Sequence, residues 1–318
     1  MDLVTLGRTG LRVGVAGLGA GGHSRLGLAT GGTETQAIAL IHAALDRGVN
    51  LIDTASVYNT EAVVGKAIAG RRAGVVLATK SSAVRNGAIL SPAAVRDSLE
   101  ASLRALGTDH IDIFQLHAVP PAQYVAVRDR LGPVLLRARE QGKIGHLGIT
   151  ETAPNDLEHR MLARAIPDGM WDTAMVAFHM MHQNAREAVF PLTRAHGVGT
   201  LLMFAVRGIF ARPAQLAATL RELAAAGQIP AEIAAAEPPL GFLLHPAGAT
   251  SLTDAAYRFV RHEPGVDVVL FGTGSIAHLE ANLRSILAPP LPEADRARLA
   301  ALFSHLRGVG LDVPPPAR

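Results

Sequence analysis

Short apolar runs alternate with amphipathic stretches along most of the chain. The run Leu51-Ile52, for example, lies between turn-forming residues and a polar end, which is typical of a short buried strand. The residues after it repeat apolar side chains every three or four positions, which predicts a helix with one buried face. We predict eight strands of this kind, at residues 13–18, 50–54, 75–79, 111–116, 146–150, 174–178, 200–204 and 266–271. Helices are predicted over residues 34–46 and 92–106, over a stretch ending near 141, and over 157–165, 185–196, 253–261 and 276–287, with a further helix that carries Val63, Val64, Ala67 and Ile68.

Eight successive strand-plus-helix units predict an α/β fold of the (β/α)8 TIM-barrel type. A small β-hairpin is predicted at the front, because Gly7 and Gly10 supply turns within residues 3–18. Since no linker divides the chain, we expect one domain over residues 1–318, with a disordered-looking end at Pro314-Pro315-Pro316. Residues 205–250 form an Ala-rich, partly helical insertion after the seventh strand. This insertion is predicted to be a lid or substrate loop, and a packing embellishment is the alternative.

Composition and charge exclude several classes of protein. Apolar residues make up 49% of the chain and aromatic residues only 4%, which favours a barrel or layered fold over a β-sandwich. The formal net charge is +3 and the arginines are scattered, so we expect no nucleic-acid partner. The chain has no cysteine, which excludes disulfides, Cys-ligated zinc and thiol catalysis. No apolar run reaches the roughly 18 residues of a membrane span, and we expect a cytoplasmic protein.

Three consecutive predicted strands end in a titratable residue, namely Asp53, Lys80 and His117. Tyr58 follows the first of these strands in a short loop, and in α/β barrels the loops at that end face the active site. Each residue alone has an ordinary explanation: an Asp caps a loop, a Lys is solvated, and a lone His belongs to the core. The chain has only three lysines, however, and the four residue types together predict an active site.

This set suits the donation of a proton to a carbonyl oxygen. A phenol is a poor acid at neutral pH, and the nearby ammonium of Lys80 is expected to lower the pKa of Tyr58. Asp53 would keep Lys80 charged and oriented, while His117 would hydrogen-bond a substrate oxygen. No side chain supplies hydride, so this chemistry requires a nicotinamide cofactor.

The chain resembles the aldo-keto reductase superfamily over almost its whole length. The segments that carry the resemblance are Leu6-Gly7-Arg8-Thr9-Gly10-Leu11, residues 50–65, Ala78-Thr79-Lys80, residues 112–117, Gly142-Lys143-Ile144 with Gly148-Ile149, and residues 272–282. Asp53, Tyr58, Lys80 and His117 match the catalytic tetrad of that family in type and order. The resemblance implies that Tyr58 is the general acid, that Lys80 tunes it, that Asp53 pairs with Lys80, and that His117 positions the carbonyl.

The same resemblance implies a set of cofactor contacts. Thr150-Glu151 stands where many members use Ser-Asn to hold the nicotinamide carboxamide, and Met175 stands where a Gln is usual. Phe178 is expected to be the aromatic residue on which the ring stacks. The other expected contacts follow the eighth strand and are Gly272, Thr273, Gly274, Ser275, His278 and Asn282. None of residues 272–275 is basic, although His278 or Arg284 could take that role, so the preference between NADP(H) and NAD(H) stays open.

Two further motifs have a simpler explanation. Residues 17–22 fit the G-x-G-x-x-G pattern of dinucleotide-binding sheets, but the next helix is delayed to about Thr33. We interpret these glycines, Gly19 among them, as a first βα loop whose backbone approaches the cofactor or substrate; loop geometry alone is the alternative. His179 and His182 have a spacing that suits a metal only on a helix, and no third ligand is near, so we expect no metal site.

The sequence favours an NAD(P)(H)-dependent oxidoreductase that interconverts an alcohol and a carbonyl in an aldehyde, ketone or sugar-like small molecule. A nicotinamide-binding barrel with little catalysis, serving as a redox sensor or assembly subunit, is the first alternative, and an unrelated barrel enzyme is the second. The substrate and the oligomeric state stay open.

Overall fold

The structure, a computed structural model, describes residues 1–311, so the predicted end at Pro314 lies outside the described residues. Two short antiparallel strands, β1 (Leu3–Thr5) and β2 (Arg12–Gly14), form the predicted hairpin. Leu6 and Val13 of this hairpin are fully buried and pack against Leu51 and Ile113 inside the barrel. The hairpin therefore closes the end of the barrel opposite the strand C-termini.

The remaining strands confirm the predicted barrel. They are β3 (Ala16–Gly19), β4 (Leu51–Asp53), β5 (Val76–Ser82), β6 (Val84–Arg85), β7 (Ala88–Ile89), β8 (Ile111–Val119), β9 (Ile144–Glu151), β10 (Thr173–Ala177), β11 (Gly199–Met203) and β12 (Val268–Phe271). Strands β6 and β7 pair with each other in a small hairpin. The other eight run parallel, each beside the next barrel strand in the chain, and β12 closes on β3.

Thirteen α-helices are present in the described residues. They are α1 (Glu34–Asp46), α2 (Glu61–Ile68), α3 (Pro92–Leu106), α4 (Tyr124–Glu140), α5 (Arg160–Ala165), α6 (Ala185–Ala188), α7 (Phe190–His196), α8 (Gly208–Ala211), α9 (Pro213–Ala225), α10 (Ala231–Ala235), α11 (Leu252–Arg261), α12 (Ile276–Ile286) and α13 (Glu293–Phe303). Helix α1 begins at a capping box formed by Thr33 and Gln36, which confirms the delayed start after the glycine-rich loop. Helices α8 to α10 confirm that residues 205–250 are an extra, partly helical insertion.

Two of the predicted boundaries were wrong in a way that affects the site. Strand β5 continues to Ser82 and β8 to Val119, because the ladder between them extends through Lys80↔Gln115 and Ser82↔His117. Lys80 and His117 therefore lie two residues before their strand ends, whereas Asp53 is the last residue of β4. The backbone at Lys80 and at His117 is therefore fixed by the ladder between β5 and β8, whereas β4 stops pairing with β5 at Ala78 and the pairing of β8 with β9 is irregular between Leu116 and Val119.

Other boundaries differ for local reasons. The helix predicted over residues 185–196 is two helices that are separated at Val189 (φ −122°, ψ −55°), because Pro191 has no N–H to donate to the preceding turn and its ring crowds that turn. Helix α5 begins at Arg160 rather than 157, after His159, whose φ is +52°. The carboxylate of Asp156 accepts the first two N–H groups of this helix region, from Arg160 and Met161. Helix α13 was not predicted.

Candidate active site

A buried ion pair forms the base of the site. The ammonium of Lys80 is fully buried and donates to Oδ2 of Asp53 at 2.6 Å and to the carbonyl oxygen of Thr54 at 2.8 Å. The other carboxylate oxygen of Asp53 accepts from Nε2 of Gln115 at 3.1 Å. A buried charge is tolerated when it is paired and hydrogen-bonded, and both partners here meet that condition. Lys80 is therefore held charged and in one orientation.

Gln115 is a supporting residue that the sequence analysis missed. It lies on β8 between Ile113 and His117, and all three side chains point to the interior because side chains alternate along a strand. Room for it comes from Gly148 on β9, where an added Cβ would lie 2.6 Å from Cγ of Gln115 and 2.5 Å from Oγ1 of Thr173. Gln115 could have been predicted from the sequence, because every second side chain of a strand points the same way and Gln115 lies two residues before His117.

Tyr58 lies above this ion pair in a short 3-10 turn after β4. The Lys80 ammonium is 5.1 Å from the centroid of the Tyr58 ring. The first βα loop covers the ring, since an added Cβ at Gly21 would lie only 2.4 Å from Cε2 of Tyr58. The predicted approach of the glycine-rich loop to the site is therefore made by the backbone at Gly21.

The pKa values around Tyr58 correct one expectation. Burial raises the pKa of the Tyr58 phenol, the Lys80 ammonium opposes that rise, and the charge of Asp53 adds to it. The net direction is upward, whereas the sequence analysis expected a lowered pKa. Burial tends to lower the pKa of Lys80, but the interactions of its ammonium with Asp53 and Tyr58 outweigh burial, and the net pKa is raised. The arrangement keeps Tyr58 protonated and Lys80 charged at neutral pH.

His117 stands beside Tyr58 at the mouth of the barrel. The two rings meet edge to face, with centroids 5.7 Å apart. Burial and the positive charge of Lys80 lower the pKa of His117 to about 3, so its imidazole is neutral at neutral pH. A neutral imidazole carries one N–H donor, which suits a hydrogen bond to a carbonyl oxygen.

A groove of about 1450 Å³, open to solvent, runs along the rim between the first βα loop, the start of the insertion and the loop after β12. Five of the predicted cofactor residues line it, namely Gly272, Thr273, Gly274, His278 and Asn282. Ser275 caps helix α12 beside them by accepting the N–H of His278. Phe204 and Arg207 also line the groove, and the Arg207 guanidinium lies 4.2 Å from the centroid of the Phe204 ring.

Phe204 was not among the predicted contacts. It follows the last residue of β11 and has φ of +73°, a conformation that is unusual for an aromatic residue and that often marks a functional site. Phe178, which was predicted to stack on the nicotinamide ring, is instead fully buried; its ring is stacked on Phe259 at 5.6 Å and meets Phe190 edge to face. Phe204 could have been predicted as a cofactor contact, because it is an aromatic residue directly after the seventh barrel strand.

Three other residues at predicted cofactor positions make contacts within the barrel. The hydroxyl of Thr150 is buried and accepts the N–H of Ala118 at 2.7 Å. Met175 packs in the barrel interior. Gly19 ends β3 and lies beside Asp53 in the ladder between β3 and β4.

Glu151 belongs to a second buried polar group, which we call the histidine cluster and define as Glu151, His159, His179 and His182. Glu151 accepts the N–H of Ala177 through Oε1 at 2.7 Å and pairs through Oε2 with Nδ1 of His159 at 2.7 Å. The rings of His159 and His182 have centroids 5.1 Å apart, and those of His179 and His182 are 5.9 Å apart. All four side chains are buried, so Glu151 does not present its carboxylate to the groove.

The residues of the mouth and groove fit a dinucleotide. The groove is lined by an aromatic ring, Phe204, which suits a nicotinamide, and by His278 of helix α12, whose N-terminus suits a phosphate. Across residues 1–311, no group of three or more His, Cys, Asp or Glu side chains could hold a metal ion. Among the same residues no helix is both long and apolar enough to cross a membrane.

The model of the Aldo/keto reductase family matches residues 16–303 of the chain. The match covers most of the chain, and the protein belongs to the aldo/keto reductase family. It is therefore an oxidoreductase of a family that uses NAD(P)(H).

Similar proteins agree with this assignment. The chain is 29% identical to the aldo-keto reductase YhdN of Bacillus subtilis (strain 168), over 88% of this chain and 87% of that protein. It is 30% identical to L-galactose dehydrogenase of Arabidopsis thaliana, over 63% of this chain and 64% of that protein. The solved holo form of the aldo-keto reductase AKR11C1 from Bacillus halodurans has a TM-score of 0.72 and 26% identity, and the match covers 95% of this chain and 96% of that one.

Proposed function

We propose that the protein interconverts a carbonyl and an alcohol on a small molecule, with Tyr58 as the general acid and base. The observation that carries this proposal is the meeting of Tyr58, Lys80 and His117 at one mouth, above the Asp53 carboxylate. A phenol, an ammonium and a neutral imidazole are the groups needed to protonate a carbonyl oxygen and to hold it.

In this scheme Phe204 and the loop after β12 would hold a nicotinamide cofactor, which would supply or accept the hydride. His117 donates a hydrogen bond to the substrate oxygen and orients the carbonyl. Tyr58 donates its proton to that oxygen during reduction and removes it during oxidation. The Lys80 ammonium stabilises the phenolate that remains on Tyr58, and Asp53 keeps Lys80 in place. The barrel wall and the loop at Gly21 limit the access of water to these groups.

The groove is the proposed cofactor site. Phe204 is the better candidate for stacking on the nicotinamide ring, because Phe178 is enclosed by Phe190 and Phe259. Residues of the loop after β12 and of α12 would hold the other end, and these are Gly272, Thr273, Gly274, Ser275, His278 and Asn282. Gly19 and Thr150 would contribute to the cofactor site indirectly, by fixing the position of the backbone around them. Separate titrations with NADPH and NADH, followed by fluorescence, give the preference.

A sugar-like substrate is favoured within this function, since one relative is an L-galactose dehydrogenase. The insertion begins at Ala205 and lines the groove through Gly208 and Ala211, which is consistent with the predicted lid or substrate loop. A panel of aldoses, aliphatic aldehydes and ketones assayed for reduction, and of the corresponding alcohols assayed for oxidation, tests this preference for a sugar-like substrate.

The test of the mechanism is Tyr58→Phe. This variant is expected to lose at least about a hundredfold in turnover, because general acid catalysis contributes on that order. Its affinity for the nicotinamide cofactor should stay close to that of the unchanged protein, since the ring remains in place. Stopped-flow turnover and cofactor titration measure the two quantities, and unchanged turnover in Tyr58→Phe would remove Tyr58 from the mechanism.

A second candidate is a nicotinamide-binding barrel with little catalysis. Glu151 favours it, because the carboxylate that stands in place of the usual amide is occupied by His159 and the N–H of Ala177. Cofactor binding without turnover of any compound in the panel would support this candidate over the first.

A further inference from the structure

Strand β8 is irregular directly at His117. The ladder between β8 and β9 is regular up to Leu116 and resumes at Val119, and over this step β8 advances by three residues while β9 advances by two. Two residues of β8, His117 and Ala118, therefore stand opposite Thr150 alone, which is the arrangement of a β-bulge. Bulges are frequent next to active sites, where they change the direction in which a side chain points.

The backbone of this bulge has a conformation that alanine disfavours. Ala118 has φ of +54°, in the left-handed region, where a Cβ crowds the main chain. Such a conformation persists only where the surrounding structure holds it, and it occurs preferentially at functional sites. Because His117 directly precedes Ala118, the contacts that hold the bulge also set the direction of the His117 side chain.

The contact that holds Ala118 is made by a side chain. The N–H of Ala118 donates to Oγ1 of Thr150 at 2.7 Å, and Thr150 is only 1% exposed. The main chain of Thr150 is anchored from the other side, because Met175↔Thr150 is the last pair of the ladder between β9 and β10. The Thr150 hydroxyl therefore links the bulge to a fixed point of the barrel wall.

The ring of His117 has no hydrogen bond of its own that could hold it. Within residues 1–311 neither ring nitrogen of His117 has a hydrogen-bond partner, and the ring contacts Tyr58 edge to face. Unengaged ring nitrogens suit a residue that must donate to a substrate oxygen. The direction of that N–H then depends on the backbone of β8, which is held through Ser82↔His117 on one side and through Thr150 on the other.

We propose that Thr150 is a positioning residue for His117: its hydroxyl holds the bulge at Ala118, and the bulge directs the imidazole toward the substrate oxygen. This inference rests on the carbonyl chemistry proposed at Tyr58 and His117. It gives Thr150 a role that differs from a contact with the nicotinamide carboxamide, the role that the family resemblance implies. A positioning residue affects turnover, whereas a carboxamide contact affects the affinity for the cofactor.

The first experiment replaces the Thr150 hydroxyl by a methyl group of similar size. Thr150→Val is expected to lower kcat/KM about tenfold, because a small misplacement of a catalytic group costs up to about a hundredfold. The substrates are glyceraldehyde and whichever compound of the panel is turned over fastest. Thr150→Ser keeps the hydroxyl and should recover most of the loss, and the Kd for the cofactor should stay unchanged in both variants. Full turnover in Thr150→Val, or no recovery in Thr150→Ser, would overturn the inference.

Thr193→Val is the matched control. Thr193 is also 1% exposed, and its hydroxyl donates to the carbonyl oxygen of Phe190 within helix α7, outside the barrel strands. Loss of this hydrogen bond should leave kcat/KM unchanged. A loss as large as that in Thr150→Val would mean that any missing buried hydrogen bond lowers turnover, which would contradict a specific role for Thr150.

A double-mutant cycle tests whether Thr150 acts through His117. His117→Leu removes the ring, so adding Thr150→Val to it should cause no further loss of kcat/KM. An equal fractional loss with and without the His117 ring would show that Thr150 supports the site in general, and the inference would be wrong. A loss confined to cofactor affinity would assign Thr150 to the carboxamide and would equally refute it.

The second experiment does not depend on turnover. Hydrogen exchange of the Ala118 amide, followed by NMR, should be faster in Thr150→Val and unchanged in Thr150→Ser, because the N–H loses its acceptor only in the first variant. Equal exchange rates in Thr150→Val and the unchanged protein would remove the basis of the inference. Absence of turnover by the unchanged protein is failure of the proposed function, whereas full turnover in Thr150→Val is failure of this inference alone.

Discussion

The barrel mouth contains two buried polar clusters that are built in different ways. In the first, Asp53, Lys80 and Gln115 lie within or at the end of neighbouring strands, and backbone ladders hold those strands on both sides. In the second, the histidine cluster, only Glu151 lies on a strand, and the histidines follow β9 and β10 in loops. The first cluster is therefore positioned by the backbone and the second by side-chain contacts.

The end of one ladder explains the difference. Strands β9 and β10 pair only as far as Met175↔Thr150. Beyond that point Oε1 of Glu151 accepts the N–H of Ala177, so a side chain replaces the backbone partner that β9 no longer offers. His159 then fixes Glu151 through the ion pair. The rim on this side depends on a few side chains, whereas on the tetrad side β5 and β8 stay paired as far as Ser82↔His117.

The largest expected effect is on the tetrad side. Lys80→Met should lower the free energy of unfolding by about 3–5 kcal/mol, because it leaves the Asp53 carboxylate buried without its cation. Urea unfolding followed by circular dichroism measures this change. Lys66→Met is the matched control, since Lys66 pairs with Glu34 on the surface and should contribute no more than about 1 kcal/mol. Equal effects of the two substitutions would show that burial of the ion pair is not the cause of the loss in Lys80→Met.

An intermediate effect is expected in the histidine cluster. Glu151→Gln keeps an acceptor for the N–H of Ala177 but removes the charge that His159 faces, so a loss of about 1.5–3 kcal/mol is expected near pH 6. Burial tends to lower the pKa of His159, but Glu151 outweighs burial and the net pKa is raised above 6.5. The stabilisation from this pair is therefore complete below about pH 6.5 and is lost as pH rises through the raised pKa.

The measurement is the free energy of unfolding of both proteins between pH 6 and pH 10. The difference between them should narrow as the pH rises. A constant difference over that range would mean that His159 is neutral and that only hydrogen bonding is lost in Glu151→Gln.

The smallest effect at neutral pH is expected for His182→Leu, which removes the acceptor of the Gly308 N–H and should cost about 0.5–1.5 kcal/mol. The pH dependence is opposite to that of His159. Burial lowers the pKa of His182 to about 3, so below about pH 6.5 the unfolded chain binds a proton that the folded protein does not. The free energy of unfolding therefore falls as pH drops from 6.5 toward 3. In the variant this fall should be smaller, because the proton bound by residue 182 of the unfolded chain no longer contributes to the slope of the free energy against pH. Urea midpoints between pH 4 and pH 7 test this, and an unchanged slope would show that His182 does not titrate in this way.

Much of the tetrad side could be predicted from the sequence. Eight apolar runs with helices between them predict the barrel, and the C-terminal ends of neighbouring strands converge in that fold. Asp53, Tyr58, Lys80 and His117 could therefore be placed together without coordinates. The direction of the Tyr58 pKa could not, because it depends on how burial balances the charges of Lys80 and Asp53.

The order of strands and helices and the tetrad were determined by the sequence itself, since periodicity and strand ends are local properties. The groove residue Phe204, the support from Gln115 and the histidine cluster were decided only by the tertiary structure. The support from Gln115 and the histidine cluster depend on residues far apart in the chain: Gln115 donates to Asp53, His182 accepts the N–H of Gly308, and Glu151 accepts the N–H of Ala177. A hydrogen bond needs both partners at about 3 Å, and no local pattern in the sequence records which distant residue will arrive there.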